Sequence, residues 1–321
     1  MAERSLNEDD PLADFARREI TLDGAAKAMY VGGRGPAVIV MTEMPGISPH
    51  VARFSRWVRD AGFTVYMPSL FGRDGAAPGA EEGASVFQRA CVSAEFRAFA
   101  ANRSSPVTHW LRALASLAHG ECGGPGVGAV GMCFTGNFAL TMMLEPAVLA
   151  PVLCQPSLPL DDVGGLEIAP EELATVRDRL EREDLTVLGY RFEGDRFCRA
   201  QRFAAYRDAL GDRFIGRLLP DAAANADVAP FFARYVVCPH SVVTAPSSTK
   251  RASRRSPRAT KSCRSSRVAL APSRVGRSKG DGLRSVSVMP AKAAFTGVTR
   301  GGIVRAVGRK TISGQFPVVS N

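Results

Sequence analysis

The chain has 321 residues, of which 45% are hydrophobic and 22% are charged, as is typical of a globular protein with a sizeable core. No run of about 18 apolar residues occurs, and the charged start MAERSLNEDD lacks the apolar segment of a signal peptide. Neither a membrane span nor a secretory leader is therefore expected. Seven cysteines without a CxxC pair argue against a disulfide framework and a zinc site, and they predict a reducing, cytoplasmic setting.

The net charge of +10 is divided unevenly along the chain. Residues 1–245 hold 24 Lys and Arg against 30 Asp and Glu, a net charge of −6. Residues 246–321 hold 17 Lys and Arg against one acid, a net charge of +16. We therefore predict one folded domain at 1–245 and a basic, disordered, Ser/Arg-rich low-complexity tail at 246–321.

Strand and helix periods alternate through the first region. The nearly continuous apolar runs at 36–43 and 126–132 are typical of strands that are covered on both faces. In chain order, we predict strands at 18–22 and 36–43, a helix at 50–62, a strand at 63–68, a helix at 105–117, a strand at 126–132, a helix at 136–144, a strand at 147–154, a helix at 170–182, a strand at 185–192, a helix at 199–210 and a strand at 214–219. This alternation predicts an α/β fold with a mostly parallel sheet and helices on both faces.

The stretch VGMCFTGNFA (130–139) places Cys133 where a predicted strand ends and a helix begins. A turn this sharp needs small neighbours, such as Gly131, and it directs the side chain over the edge of the sheet. The dipole of the following helix would favour a thiolate at this position. The pattern therefore predicts that Cys133 is a nucleophile.

Two other interpretations of this stretch are available. Gly126, Gly128 and Gly131 fit the GxGxxG pattern of dinucleotide-binding proteins, but no strand precedes them, and they lie before and within the strand instead of after it. Alternatively, a lone cysteine can be a buried packing residue. We accept that interpretation for four other thiols, namely Cys91, Cys122, Cys154 and Cys238.

A cysteine nucleophile needs a base and an acid that orients the base. In α/β-hydrolases these residues follow in the order nucleophile, acid, histidine. His240 is the only histidine after Cys133, and it lies in a loop after the last predicted strand. Asp195 follows the predicted strand at 185–192, with Glu193 as the rival acid. The order predicts a triad of Cys133, Asp195 and His240.

With these residues in hand, the chain resembles the dienelactone hydrolase family, within the α/β-hydrolase fold, over about residues 15–245. The family's Gly-x-Cys-x-Gly turn is similar to GMCFT (131–135), and GFTVYMPSLFGRDG (62–75) and PHSVV also resemble family sequence. Thr135 stands where the second glycine is usual, and Gly136 comes one place late. A β-branched residue there is expected to tighten or tilt the turn.

The resemblance implies hydrolysis of a small-molecule lactone or carboxylic ester through a thioester, with no cofactor and no metal. It implies that Glu43, in MTEMPG, keeps the resting thiol neutral and swings away when substrate arrives. It also implies an oxyanion hole from the backbone N–H groups of Met44 and Phe134. The family's anionic lactones would need a cationic contact, for which Arg97 and Arg103 are the candidates.

The tail after Ala245 allows two hypotheses. In the first, it is solvated chain that binds nucleic acid or an acidic partner by charge alone, attached to a catalytically impaired hydrolase domain. Alternatively, it is a frameshifted product, because codons chosen for Pro246–Arg255 read LIDEAGEPT in another frame, an acidic continuation of the kind that the family expects. The nucleotide sequence around codon 245 distinguishes the two.

Overall fold

Eight strands and six helices form one α/β unit in the part of the chain that the structure describes. The computed structural model describes residues 5–77, 79–224, 228 and 230–244. In chain order, the elements are β1 (Ala16–Leu22), β2 (Ala25–Gly33), β3 (Ala37–Val40), α1 (Pro49–Asp60), β4 (Thr64–Pro68), α2 (Ala80–Val92), α3 (Val107–Cys122), β5 (Val127–Met132), α4 (Phe138–Thr141), β6 (Val148–Cys154), α5 (Pro170–Arg182), β7 (Val187–Phe192), α6 (Ala200–Leu210) and β8 (Phe214–Leu219).

The strands lie in the order β1-β2-β4-β3-β5-β6-β7-β8. The pairs β1–β2 and β2–β4 are antiparallel, whereas the pairs from β4–β3 to β7–β8 are parallel. Every residue of β3, β4 and β5 is buried, which explains their nearly unbroken apolar sequences. The carboxyl ends of β3, β5, β6 and β7 therefore meet along one edge of the sheet.

Two apolar cores cover the two faces of the sheet. Ile39 belongs to one core and its neighbours Val38 and Val40 to the other, as the alternation of a strand requires. Helices α2 to α6 contribute to the first core. Helix α1 and residues 242–243 contribute to the second.

The predicted α/β class, with a mostly parallel sheet and helices on both faces, is confirmed for the described residues. The predicted tail at 246–321, with both hypotheses about it, lies outside those residues. Within the described ranges, no helix combines the length and the apolar character that a membrane crossing requires.

Three elements differ from the sequence prediction. The expected loop after β4 contains helix α2, which buries only Gly83, Val86 and Ala90 and so has little apolar periodicity. Strand β2 was not predicted, because its residues are mostly half-buried. The helix predicted at 136–144 is divided into α4 and a 3₁₀ turn at Met142–Leu144, so its hydrogen bonding tightens over the last turn.

Helix α5 is attached to the segment between α4 and β6 by one buried cation. The guanidinium of Arg179 donates hydrogen bonds to the carbonyl oxygens of Met143 (2.6 Å), Glu145 (2.8 Å) and Pro146 (2.7 Å). Arg179 is 6% exposed, so these carbonyl groups have little access to water. The side chain therefore satisfies the backbone at the end of the helix that follows Cys133.

We expect Arg179→Met to lower the free energy of unfolding by about 3 kcal/mol, because it leaves buried carbonyl groups without a donor. Arg182→Met is the matched control on the same helix, because Arg182 is largely exposed and its ion pair with Glu183 lies at the surface. It should change the free energy of unfolding by less than about 0.5 kcal/mol. Urea unfolding followed by circular dichroism measures both, and equal effects would contradict this account.

Candidate active site

Cys133 lies directly after β5, at the edge where the carboxyl ends of the parallel strands meet. Its φ of 53° is in the left-handed region, which is unfavourable for a residue with a side chain. A Cβ added at Gly131 would collide with the carbonyl oxygen of Thr135, and one added at Gly136 would lie 2.5 Å from Cα of Pro156. The turn therefore closes only because glycine occupies both positions.

Thr135 is accommodated in the turn by hydrogen bonds. Its Oγ1 accepts from the backbone N–H of Met132 at 3.0 Å and lies 3.2 Å from the carbonyl oxygens of Met41 and Thr42. These contacts tie the turn to the chain just after β3. The turn has no room for a side chain at Gly136. The glycine that comes one position later than in the family's pattern is therefore required here.

His240 and Asp195 form a buried pair. Nδ1 of His240 lies 2.8 Å from Oδ2 of Asp195, and both side chains are almost fully buried. The other oxygen of Asp195 accepts from the backbone N–H groups of Phe197 (2.8 Å) and Cys198 (2.9 Å), which hold the carboxylate in place. Glu193, the rival acid, is exposed.

The thiol of Cys133 is close enough to the imidazole to affect its charge. Burial alone would lower the pKa of His240, but the charge of Asp195, the nearby sulfur of Cys133 and the hydrogen bond to Asp195 raise that pKa well above its usual value. Sγ of Cys133 also lies 3.6 Å from Oγ of Ser157. The structure thus places the three side chains that the sequence predicted in one group, and it favours a charged imidazole at His240.

Glu43 is buried next to this group, just after β3. Its carboxylate accepts hydrogen bonds from Nε2 of Gln155 (3.0 Å), Oγ of Ser241 (2.8 Å) and Oγ1 of Thr244. Burial raises the pKa of Glu43, and the hydrogen bonds from Thr244, Ser241 and Gln155 oppose that change. The carboxyl group is therefore held mainly by the chain around His240.

Of the two residues predicted to form an oxyanion hole, Met44 lies after β3 and Phe134 lies within the turn. Met44 follows Glu43, and Phe134 follows Cys133 in a 3₁₀ turn at Cys133–Thr135. Both side chains are fully buried. Because Thr135 ties the turn to the end of β3, the backbones of Met44 and Phe134 are held at the same edge of the sheet.

A cavity of about 540 Å³ opens beside the imidazole. Its lining includes His240, Glu43, Pro45, Phe231 and Phe232. Cys133 is 8% exposed and contributes no surface to the cavity. Neither Arg97 nor Arg103, the predicted cationic contacts, lines it.

Four residues near the triad were not predicted: Gln155, Ser157, Ser241 and Thr244. Gln155 and Ser157 follow β6, whose carboxyl end meets that of β5, so polar residues after this strand were the available signal. The amide oxygen of Gln155 also accepts from the backbone N–H of Val242 at 3.2 Å. Gln155 therefore connects Glu43 to the loop that carries His240.

Part of the chain is similar to known proteins. Residues 24–162 match the model of the dienelactone hydrolase family. Carboxymethylenebutenolidase of Pseudomonas sp. (strain P51) is 31% identical over 125 residues, which are 38% of this chain and 50% of the relative. The match therefore spans about half the length of that relative.

Solved structures were also found. A dienelactone hydrolase-like promiscuous phosphotriesterase from metagenomic libraries is 19% identical, with a TM-score of 0.48 over 71% of this chain and 90% of that one. Dienelactone hydrolase from Anabaena variabilis ATCC 29413 is 13% identical, with a TM-score of 0.44 over 70% of this chain and 91% of that one.

Asp195 and His240 lie beyond the range of the family model. The resemblance to the dienelactone hydrolase family is confirmed over residues 24–162, which hold Glu43, the turn and Cys133.

Proposed function

We propose that this protein hydrolyses carboxylic esters or lactones through a thioester on Cys133. The observation that carries the proposal is the buried imidazole of His240, which Asp195 orients at 2.8 Å and whose pKa the thiol of Cys133 helps to raise. A thiolate next to an imidazolium is the pair that acyl transfer to cysteine requires. The family match over residues 24–162 supports the reaction class.

In the first half of the proposed reaction, the thiolate of Cys133 attacks the carbonyl carbon and forms a carbon–sulfur bond. The carbonyl electrons move to oxygen, and the backbone N–H groups of Met44 and Phe134 stabilise the oxyanion. Each such donor contributes about 3 kcal/mol to lowering the barrier. The oxyanion then collapses, the bond to the alcohol oxygen breaks, and His240 donates its proton to the leaving group.

In the second half, neutral His240 accepts a proton from water as the water oxygen attacks the thioester. The second oxyanion collapses, the carbon–sulfur bond breaks, and the thiolate of Cys133 leaves beside the newly formed imidazolium. Asp195 keeps the ring in the orientation that both halves need. The acid product departs with no net change in the protein.

Glu43 is proposed to control the thiol before substrate arrives. The resemblance implies that its carboxyl group holds the resting thiol neutral, and its raised pKa, caused mainly by burial, would let that group carry a proton. The bonds from Gln155, Ser241 and Thr244 hold the carboxyl group in the position that the structure shows. We also propose a cytoplasmic setting, where a reactive thiol stays reduced.

Substitution of Cys133 tests whether it is the nucleophile. Cys133→Ala should lower the rate of p-nitrophenyl acetate hydrolysis at least about a thousandfold, because no other group can form the acyl intermediate. Cys238→Ala is the matched control, since this half-buried thiol lines the cavity beside His240. The control should retain most of the activity, and a Cys133→Ala protein as active as the control would refute the mechanism.

Asp195→Asn tests the origin of the thiolate. Without the carboxylate, burial dominates and lowers the pKa of His240, so the imidazolium that stabilises the thiolate is lost at a lower pH. We expect the pH midpoint for alkylation of Cys133 by iodoacetamide to rise by about one unit or more. Mass spectrometry separates Cys133 from Cys91, whose pKa burial raises to about 11.

Glu193→Gln is the matched control for that measurement. It makes the same acid-to-amide change two residues away, on an exposed side chain. Its alkylation midpoint should equal that of the unaltered protein. Equal midpoints in all three proteins would mean that Asp195 does not set the charge of the pair.

A further inference from the structure

The cavity beside His240 has the position of a substrate pocket. Glu43 and Pro45 line it on either side of Met44, a proposed oxyanion donor, and His240 lines it as well. Its volume of about 540 Å³ is that of a small-molecule site. A carbonyl group attacked by Cys133 must lie beside His240, so the group attached to that carbonyl would extend into this space.

The surroundings of the imidazole are mainly apolar and aromatic. The ring centroid of Phe197 lies 5.5 Å from that of His240, and the centroid of Phe232 lies 6.4 Å from it. Phe231, which also lines the cavity, packs against Phe232 at 5.3 Å. Contact with these rings favours carbon chains, because it removes apolar surface from water.

The charges around the cavity do not favour an anion. Among the described residues that line it, none is a lysine or an arginine, whereas two, Glu43 and Asp221, are acidic. Two histidines also line it: His240 is paired with Asp195, and burial lowers the pKa of His50. Two arginines that do not line the cavity have other partners. Arg53 donates to the carbonyl oxygen of Thr244 at 2.6 Å, and Arg73 forms an ion pair with Asp9 at 2.5 Å.

We infer that the acyl group accepted by this site is neutral and apolar, not an anionic acyl group of the kind that Arg97 or Arg103 was expected to bind. The inference rests on the proposed function. Among the described lining residues, the imidazole of His240 is the group that could face a carboxylate, and Asp195 already holds it at 2.8 Å. A carboxylate moved into this cavity would therefore lose its hydration for little gain. A carbon chain loses only unfavourable contact with water.

Two esters that differ at a single group test the inference. p-Nitrophenyl hexanoate ends in a methyl group, and mono-p-nitrophenyl adipate carries a carboxylate at the same position. With the full-length protein, and after subtraction of the Cys133→Ala rate, kcat/KM for the hexanoate should exceed that for the adipate at least about tenfold. Release of p-nitrophenol is the readout.

A charge placed in the cavity should shift this preference. Ala233 is exposed and lines the cavity, so it can be enlarged at little cost to packing. Ala233→Arg should raise kcat/KM for the adipate relative to the hexanoate by about fivefold or more, because it supplies a guanidinium, which none of the described lining residues carries. Ala233→Gln, a neutral side chain of similar reach, should leave the ratio unchanged.

The outcomes separate the inference from the proposed function. Adipate hydrolysis equal to or faster than hexanoate hydrolysis, with both dependent on Cys133, overturns the inference and leaves the hydrolase standing. Equal ratios for Ala233→Arg and Ala233→Gln also overturn it, since the cavity would not then be where the acyl group lies. Absence of any Cys133-dependent hydrolysis refutes the proposed function, and the inference with it.

Discussion

The close approach of backbone within the turn at Cys133 is the constraint on which the rest of the site depends. A Cβ at Gly131 or Gly136 would collide with neighbouring backbone. Because both residues lack a side chain, Cys133 can adopt a positive φ at the end of β5. That conformation carries the sulfur to the edge of the sheet where β3, β6 and β7 also end. The side chains after those strands can then reach the thiol without long loops.

Charge in this buried region is balanced within a small group of side chains. The pKa of His240 is raised by both Asp195 and Cys133, so this shift is a property of the group and not of one pair. Burial raises the pKa of Glu43, because a further negative charge in that space would be unfavourable. The hydrogen bonds from its own donors and the charge of His240 oppose that change.

The sequence was sufficient for most of the fold, because β3, β4 and β5 are buried on both faces and therefore read as apolar runs. It failed for α2, which buries few side chains, and for β2 near the sheet edge, where periodicity is weak. Cys133, Asp195 and His240 could be selected by their order after strands. Ser241 and Thr244 could not, because their roles depend on hydrogen bonds to Glu43 across 198 and 201 positions, which no local pattern records.

Thr244 belongs to the site and directly precedes the change of composition near residue 245. Thr244 donates to Glu43, and its carbonyl oxygen accepts from Arg53 at 2.6 Å and lies 3.2 Å from Nδ1 of His50. The last described residue is thus bound on both its side chain and its backbone. A shift of reading frame after codon 245 would leave the triad and all the donors of Glu43 encoded as they are. The frameshift hypothesis and the proposed chemistry are therefore independent, and each can fail without the other.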